Sequence, residues 1–167
     1  MLLLIGCGDD TPSRELPEAA ASIRIASPAF ADGATIPKRF TCSGADVSPP
    51  LQIRDLPRGA RELALIVEDP DADRFVHWSV VGIAPDTAEI PEGRVPAAAV
   101  QTKNSFGDPE WGGPCPPEDD EPHRYTFAIY ALDDTLDLGA DASPDDVRDA
   151  IDGHALARGT LTGRFGR

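Results

Sequence analysis

The sequence predicts a mainly β domain with one or two short helices packed on it. Short apolar runs with β-branched and aromatic residues recur between turn residues, which is typical of strands. The 17 prolines and 15 glycines disfavour long helices, because both residue types are unfavourable in helix interiors. A length of 167 residues fits one domain with a single core.

Six runs are predicted to be strands. Two of them, at 62–68 and 124–132, are apolar on both faces over part of their length, as expected for strands covered on both sides of a sheet. We therefore expect these two strands to form the centre of the core. In chain order, the candidate strands are residues 23–25, 51–53, 62–68, 76–83, 124–132 and 160–165.

One segment near the C-terminus carries the signals of a helix start. Ser143 is a good N-cap, Pro144 suits the first helical position, and acidic residues follow in the first turn. The apolar stripe is predicted to run over 147–156, with His154 near the helix end and Gly159 as the stop.

The charge balance excludes some partners. The chain has 15 Lys and Arg against 29 Asp and Glu, a formal net charge of −14. Such a field repels phosphodiester backbones and anionic lipid surfaces, so nucleic acid is excluded as the expected partner. The acidity by itself favours solubility or adaptation to salt and identifies no ligand.

The first seven residues end in a candidate lipidation site. Residues 4–7 (LIGC) are similar to the bacterial lipobox, in which Cys7 would become the lipidated first residue. The apolar run before Cys7 is too short to span a bilayer and lacks the positive start of a signal sequence. We therefore interpret it as a lipoprotein signal cut short at its start, with an ordinary N-terminus as the alternative.

The residues that follow are expected to form a flexible tether. From residue 8 to residue 21, Leu16 is the sole large apolar side chain, which is too little to offset the entropic cost of ordering. The predicted organisation is a signal and tether at 1–21 and a folded domain at 22–167.

The two remaining cysteines leave two interpretations open. If a lipid anchor at Cys7 holds the domain in the periplasm or cell envelope, Cys42 and Cys115 could form a disulfide. The alternative is that both are small buried thiols, which is about equally expected, and the alternative location is the cytoplasm.

Titratable side chains are concentrated in two clusters of polar and aromatic residues. The first cluster, 68–78, joins two candidate core strands and contains Asp69, Asp71 and His77; the second, rich in Gly and Pro, ends at His123. These four side chains could form a metal site, but their spacing matches no strong metal motif. The carboxylates could instead orient imidazoles that face a ligand, or both histidines could be structural.

Seven motifs in these clusters and before them resemble one known family. They are, in chain order, 40–44 (FTCSG), 48–51 (SPPL), 69–72 (DPDA), 76–78 (VHW), 104–107 (NSFG), 112–117 (GGPCPP) and 123–125 (HRY). Together they resemble the phosphatidylethanolamine-binding protein family, and more narrowly its bacterial Raf kinase inhibitor-like branch, from Ser27 to the C-terminus. The chain departs at Asp73, where the family motif commonly has proline.

The resemblance implies an antiparallel β-sandwich-like domain with short peripheral helices. It also implies a small pocket for phosphate-like or carboxylate anions at one end of a sheet, with no metal and no cofactor. Family members are inhibitors of kinases or proteases, so regulation of a partner enzyme is implied as well. Matched residue by residue, the ligand-binding residues would be Asp69, Asp71, His77, Gly113, Pro114, His123 and Tyr125.

Two further expectations concern what this pocket does. We expect the aspartates of the 69–72 motif to orient or charge the two imidazoles, while imidazole N–H, tyrosine O–H and loop amides receive the anion. The alternative is a hydrolase in which His77 or His123 is a general base for water or for Ser105. The sequence has no G-x-S-x-G or H-E-x-x-H motif, so a binding module is favoured over an enzyme or a bare scaffold.

Overall fold

Residues 15–167, the part of the chain that this computed structural model describes, contain two β-sheets of unequal size. The strands are β1 (Ala21–Ser22), β2 (Arg24–Ala26), β3 (Leu51–Arg54), β4 (Glu62–Asp69), β5 (Phe75–Ile83), β6 (Glu89–Ile90), β7 (Val100–Thr102), β8 (His123–Leu132) and β9 (Ala155–Phe165). The α-helix, α1, is Pro144–Ile151, and two 3₁₀ turns lie at Lys38–Phe40 and Pro70–Ala72.

The larger sheet has the order β1-β9-β8-β4-β5-β7, and the smaller has the order β2-β3-β6. All pairs are antiparallel except β1 with β9, which is parallel. The mainly β, sandwich-like fold with peripheral helices is therefore confirmed. No helix of residues 15–167 has both the length and the apolar character to cross a membrane.

Alternate residues of the central strand β4 face two separate cores, and the whole strand is buried as predicted. Leu63, Leu65 and Val67 pack in the core between the two sheets. Ala64 and Ile66 face the opposite side, where α1 covers the large sheet. This alternation follows from the two-residue period of a strand, so an apolar run on both faces indicates a strand with cover on both sides.

The helix begins as predicted and ends earlier. Ser143 Oγ accepts a hydrogen bond from the Asp146 amide at 3.2 Å, and the Asp146 carboxylate accepts one from the Ser143 amide at 2.8 Å. The prediction that the helical stripe reaches residue 156 is wrong, because the chain turns at Gly153 with φ of +83°. Residues 155–159 belong to β9, and His154 lies in the turn, bonded to Asp133.

Residues before the expected domain boundary at residue 22 pack against the domain. Leu16 is only 7% exposed and lies in the core under α1. The Tyr130 hydroxyl donates a hydrogen bond to the Pro17 carbonyl at 3.1 Å. Leu16 and Pro17, which the sequence predicts to lie in a flexible tether, are therefore packed against the domain. Residues 1–14, with Cys7, lie outside the described residues.

Cys42 and Cys115 form a disulfide across 73 residues of sequence. Both residues are exposed, so the alternative of two buried thiols is wrong. The Cys42 amide also donates to the Pro114 carbonyl at 3.1 Å. Backbone and side chain therefore fasten the loop at residue 42 to the loop at residue 115.

The packed N-terminal segment makes a testable contribution to stability. Leu16→Ala should lower the free energy of unfolding by about 2 kcal/mol, because it removes a buried side chain and leaves a cavity. Urea denaturation followed by tryptophan fluorescence measures the change. The control is Glu18→Ala, in the same segment but exposed, and an equal effect of both substitutions would contradict the assignment of Leu16 to the core.

Removal of the disulfide should lower the free energy of unfolding by more than Leu16→Ala does. A cross-link that closes about 70 residues restricts the unfolded chain, and its loss is expected to lower the free energy of unfolding by about 4 kcal/mol. The double variant Cys42→Ser/Cys115→Ser is compared with the wild-type protein in urea, each with and without dithiothreitol. The reductant should weaken only the wild-type protein; a denaturation midpoint that the double substitution leaves unchanged would refute the expectation.

Candidate functional site

Three strand ends meet at one edge of the large sheet. Antiparallel pairing places Asp69, at the end of β4, opposite Phe75, at the start of β5. It also places Glu68 opposite Thr126, close to the start of β8. The 69–72 and 123–125 motifs, which are more than 50 residues apart in sequence, are therefore neighbours in space.

A cavity of about 310 Å³ opens at this edge. Its wall is mostly apolar and aromatic, with a few polar groups, which is the usual composition of a small-molecule pocket. The lining residues are Asp69, Ala72, Phe75, His77, Phe106, Cys115, Pro116, Pro117, His123 and Tyr125.

Asp69 is buried beside the cavity and accepts three hydrogen bonds. Its Oδ1 accepts from the amides of Asp71 and Ala72 at 2.9 and 3.1 Å, which caps the 3₁₀ turn Pro70–Ala72. Its Oδ2 accepts from His123 Nδ1 at 2.7 Å. Three donors around one carboxylate offset the cost of burying its charge.

The hydrogen bond to Asp69 raises the pKa of His123 above its ordinary value, against the opposing effect of burial. The opposite ring nitrogen, Nε2, lies 3.6 Å from the carboxylate of Asp120, a half-exposed residue. His123 is thus the group of this cavity that is best suited to carry a positive charge. This pairing agrees with the expectation that an aspartate charges an imidazole.

His77 lies in a different environment from His123. Its Nδ1 donates to the Gly112 carbonyl at 2.6 Å, and the Gly112 amide donates back to the His77 carbonyl at 3.0 Å. Burial lowers the pKa of His77, which outweighs the hydrogen bond that favours the charged form. A neutral imidazole held through Nδ1–H presents Nε2 as an acceptor.

Aromatic rings enclose the His77 imidazole. Ring centroids of Phe75 and Tyr125 lie 5.3 and 5.2 Å from its own, and Phe106 lies at 5.9 Å. Phe106 is 56% exposed, whereas Tyr125 is fully buried. The cavity therefore has an aromatic floor and one aromatic side chain at its mouth.

The Tyr125 hydroxyl is a buried donor without a hydrogen-bond partner of ordinary geometry in residues 15–167. Burial and the nearby Asp69 carboxylate raise the pKa of Tyr125 well above its usual value, so the hydroxyl keeps its proton. A buried O–H without a partner costs free energy. Asp69 is an acceptor of poor geometry for this hydroxyl, and a molecule bound in the cavity that Tyr125 lines would offer a second one.

Asp71 is bonded to an arginine and orients neither imidazole by a hydrogen bond of its own, although its charge helps to raise the pKa of His123. Its carboxylate accepts from Arg124 Nη2 at 2.6 Å, from Arg124 Nε at 3.1 Å and from the Arg124 amide at 2.8 Å. These bonds lower the pKa of Asp71 to about 2. Asp71 does not line the cavity; it holds the start of β8 against the 3₁₀ turn.

Gly113 and Pro114 also lie behind the cavity wall. The Gly113 amide donates to Asp46 Oδ1 at 2.9 Å, and a side chain at this position would collide with that carboxylate. The Pro114 carbonyl accepts a hydrogen bond from the Cys42 amide. Cys115, Pro116 and Pro117, directly after them, provide the lining instead.

Several lining residues were not predicted from the sequence. Phe75 lies within the first cluster and Phe106 within the second, and their contact at 4.7 Å between ring centroids closes one side of the cavity. Ser105, the candidate nucleophile, is outside the lining: its Oγ accepts from the Val76 amide at 2.8 Å. An exposed aromatic within a Gly-rich motif is the signal that could have identified Phe106.

Asp73 adopts a left-handed backbone conformation with φ of +54°, as does Arg74 with φ of +57°. Proline is restricted to φ near −65°, so the proline that the resemblance implies at this position could not adopt the observed conformation. The loop between β4 and β5 therefore follows a path that depends on this chain's own sequence.

Metal binding has no support in the geometry. Among the residues from 15 to the C-terminus, no group of three or more His, Cys, Asp or Glu side chains is placed to hold a metal ion. The four residues that suggested such a site in the sequence divide into an Asp69–His123 pair, an Asp71–Arg124 pair and a His77 bound to a carbonyl.

Two proteins from other organisms are similar in sequence to most of this chain. A "UPF0098 protein" of Methanothermobacter thermautotrophicus is 44% identical over 146 residues, covering 83% of this chain and 95% of its own length. LppC of Mycobacterium tuberculosis, named as a candidate lipoprotein, is 44% identical over 149 residues, covering 88% of this chain and 74% of its own.

Two crystal structures share the fold. The PEBP homolog CT736 of Chlamydia trachomatis aligns with a TM-score of 0.82 at 37% identity, covering 89% of this chain and 99% of its own. E. coli YbcL, described as a new member of the mammalian PEBP family, aligns with a TM-score of 0.83 at 27% identity, covering 88% and 99%. The family model of the phosphatidylethanolamine-binding proteins matches residues 26–166. With these matches and the motifs gathered around one cavity, the chain belongs to the phosphatidylethanolamine-binding protein family.

Proposed function

We propose that the protein is a binding module that holds a small anionic or phosphorylated ligand in the cavity at the Asp69–His123 edge. The observation that carries this proposal is a cavity lined by His77, His123 and Tyr125, whose buried hydroxyl makes no hydrogen bond of ordinary geometry within residues 15–167 and has the Asp69 carboxylate beside it. An anion would accept a hydrogen bond from this hydroxyl and an ionic hydrogen bond from His123.

The negative charge of Asp69 does not exclude an anion. Its carboxylate already accepts from His123 and from two backbone amides, which offset its charge locally. Asp71 is paired with Arg124, and most other acidic residues act through solvent, where charges more than about 8 Å apart are largely screened at physiological salt; Asp120, 3.6 Å from His123 Nε2, is the exception. Short-range donors therefore decide whether an anion binds, even in a chain with a net charge of −14.

His77 adds a preference for a particular kind of ligand oxygen. Because its Nδ1–H is bonded to the Gly112 carbonyl, the neutral ring accepts through Nε2. It therefore suits an oxygen that carries a proton, as in a singly charged phosphate monoester. The aromatic and proline side chains of the wall would surround an apolar substituent of the same ligand.

Binding is favoured over catalysis. The Ser105 hydroxyl accepts a hydrogen bond from the Val76 amide and does not line the cavity. Ser105 is therefore not placed as a nucleophile beside His77 or His123. In this proposal, control of a partner kinase or protease, as in the Raf kinase inhibitor-like branch, would act through occupancy of the cavity. The exposed ring of Phe106 at its mouth would then contact the partner.

We also propose that the domain works outside the cytoplasm, as a lipoprotein anchored at Cys7. The support is an exposed disulfide, which persists in oxidising compartments, together with the lipobox-like residues 4–7 and the relative named as a candidate lipoprotein.

Loss of the cavity donors should weaken anion binding. Titration of dimethyl phosphate, followed by histidine NMR signals, should show about tenfold weaker binding for Tyr125→Phe and for His123→Ala, because each removes a donor to a charged acceptor. His154→Ala is the control, since His154 adjoins Asp133, beyond the opposite end of β8. Unchanged affinity in both cavity variants, with melting temperatures that show folded protein, would refute the proposal.

Binding should also depend on pH through His123. Its pKa is raised above the ordinary 6.5, so the ring is charged below that raised pKa and neutral above it. Dimethyl phosphate keeps one negative charge over this range, and its affinity should fall about tenfold between pH 6 and pH 9. An affinity that does not change with pH would rule out an ionic role for His123.

A further inference from the structure

Four consecutive acidic residues, Glu118–Glu121, come directly before the motif that contains His123. All four are exposed, which from sequence alone indicates a solvated loop. In the structure one of them is in contact with the binding site: Asp120 Oδ2 lies 3.6 Å from His123 Nε2. Since Nδ1 of the same ring is bonded to Asp69, both ring nitrogens of His123 face carboxylates.

The position of Asp120 follows from the fold of its loop. The Asp120 amide donates to the Pro117 carbonyl at 3.3 Å, which forms a turn directly after the cavity wall. Arg167, at the C-terminus, donates to the Pro116 carbonyl at 2.6 Å and lies 3.9 Å from Glu118. These contacts fix the loop that follows Pro116, and its turn presents Asp120 to the His123 imidazole.

His123 separates two concave surfaces. On one side is the cavity with Tyr125 and His77. On the other side is an open cleft whose lining includes Asp71, Asp120 and Glu121 as well as His123 itself. Any anion that binds His123 through Nε2 therefore comes within a few ångströms of the Asp120 carboxylate.

We propose that Asp120 is a specificity-determining residue that competes with the ligand for His123 Nε2 and disfavours doubly charged anions. The inference rests on the proposed function of the cavity. The Asp69 carboxylate is bonded to His123 and to two amides, whereas Asp120 has one weak contact at 3.6 Å and is half exposed. Asp120 is thus the carboxylate that a ligand can displace.

Charge repulsion sets the expected size of the effect. In a water-like dielectric, two unit charges about 5 Å apart repel enough to weaken binding about fourfold for each unit of ligand charge. Asp120 also favours the charged form of His123, but the hydrogen bond that His123 donates to Asp69 is the larger cause of that preference. Below the raised pKa of His123 the ring stays charged without Asp120. The repulsion between Asp120 and the anion therefore decides how the substitution changes the affinity.

The test compares Asp120→Asn with Asp119→Asn. Both substitutions remove one exposed negative charge from the same loop, but only Asp120 contacts His123. The probes are dimethyl phosphate, with one charge, and sulfate, with two, at pH 6 and constant ionic strength, with affinities taken from the His123 NMR signals. Asp120→Asn should tighten both, and the ratio of sulfate to dimethyl phosphate affinity should rise about fourfold.

Each other outcome has a defined meaning. An equal rise in that ratio for Asp119→Asn would show a general charge effect and overturn the assignment to Asp120. Weaker binding in Asp120→Asn would overturn it as well, because Asp120 would then support the charged ring and not compete with the ligand. If the wild-type protein binds neither probe and Asp120→Asn binds both, competition is supported. If no variant binds either probe, the proposed function fails and this inference fails with it.

Discussion

The hydrogen bond between Asp69 and His123 is the contact on which the site depends. It joins the end of β4 to the start of β8, two segments 54 residues apart in sequence. The same carboxylate caps the 3₁₀ turn that carries Asp71, which in turn holds Arg124. One buried carboxylate therefore orients an imidazole, shapes the turn and positions the second ion pair. A neutral isostere at residue 69 would leave two amides and a ring nitrogen competing for a poorer acceptor.

Two histidines in one cavity differ because their Nδ1 partners differ. His123 donates to a carboxylate, which favours its charged form, whereas His77 donates to the Gly112 carbonyl and is buried, which favours its neutral form. The cavity therefore combines a cationic donor with a neutral acceptor, and Tyr125 adds a donor that keeps its proton. For the proposed function, this combination would suit an anion that has both bare and protonated oxygens better than a fully ionised one.

Most of the fold followed from the sequence, because runs such as 62–68 combine β-branched residues with apolar side chains on both faces. The error at the last strand has a local cause: residues 147–156 fit a helical stripe, but Gly153 ends the helix first, and both Gly153 and Gly159 were available as stops. The motifs identified the region of the site but not its pairs. Asp69 and Asp71 are both close to His123 in space, and only the backbone path decides which carboxylate faces the ring.

The cavity wall and the Asp69–His123 pair are held in place by different contacts. The wall at 112–117 is fastened by the disulfide at Cys115, by the Asp46 carboxylate on the Gly113 amide and by Arg167 on a carbonyl. None of these contacts reaches the Asp69–His123 pair. Loosening the wall should therefore change the shape and closure of the cavity, while the hydrogen bond from His123 to Asp69, the largest cause of the raised pKa of His123, stays in place. For the ligand proposed above, the fold would thus separate how well the molecule fits from how strongly its charge is recognised, and sequence change in the wall would alter the first without loss of the second.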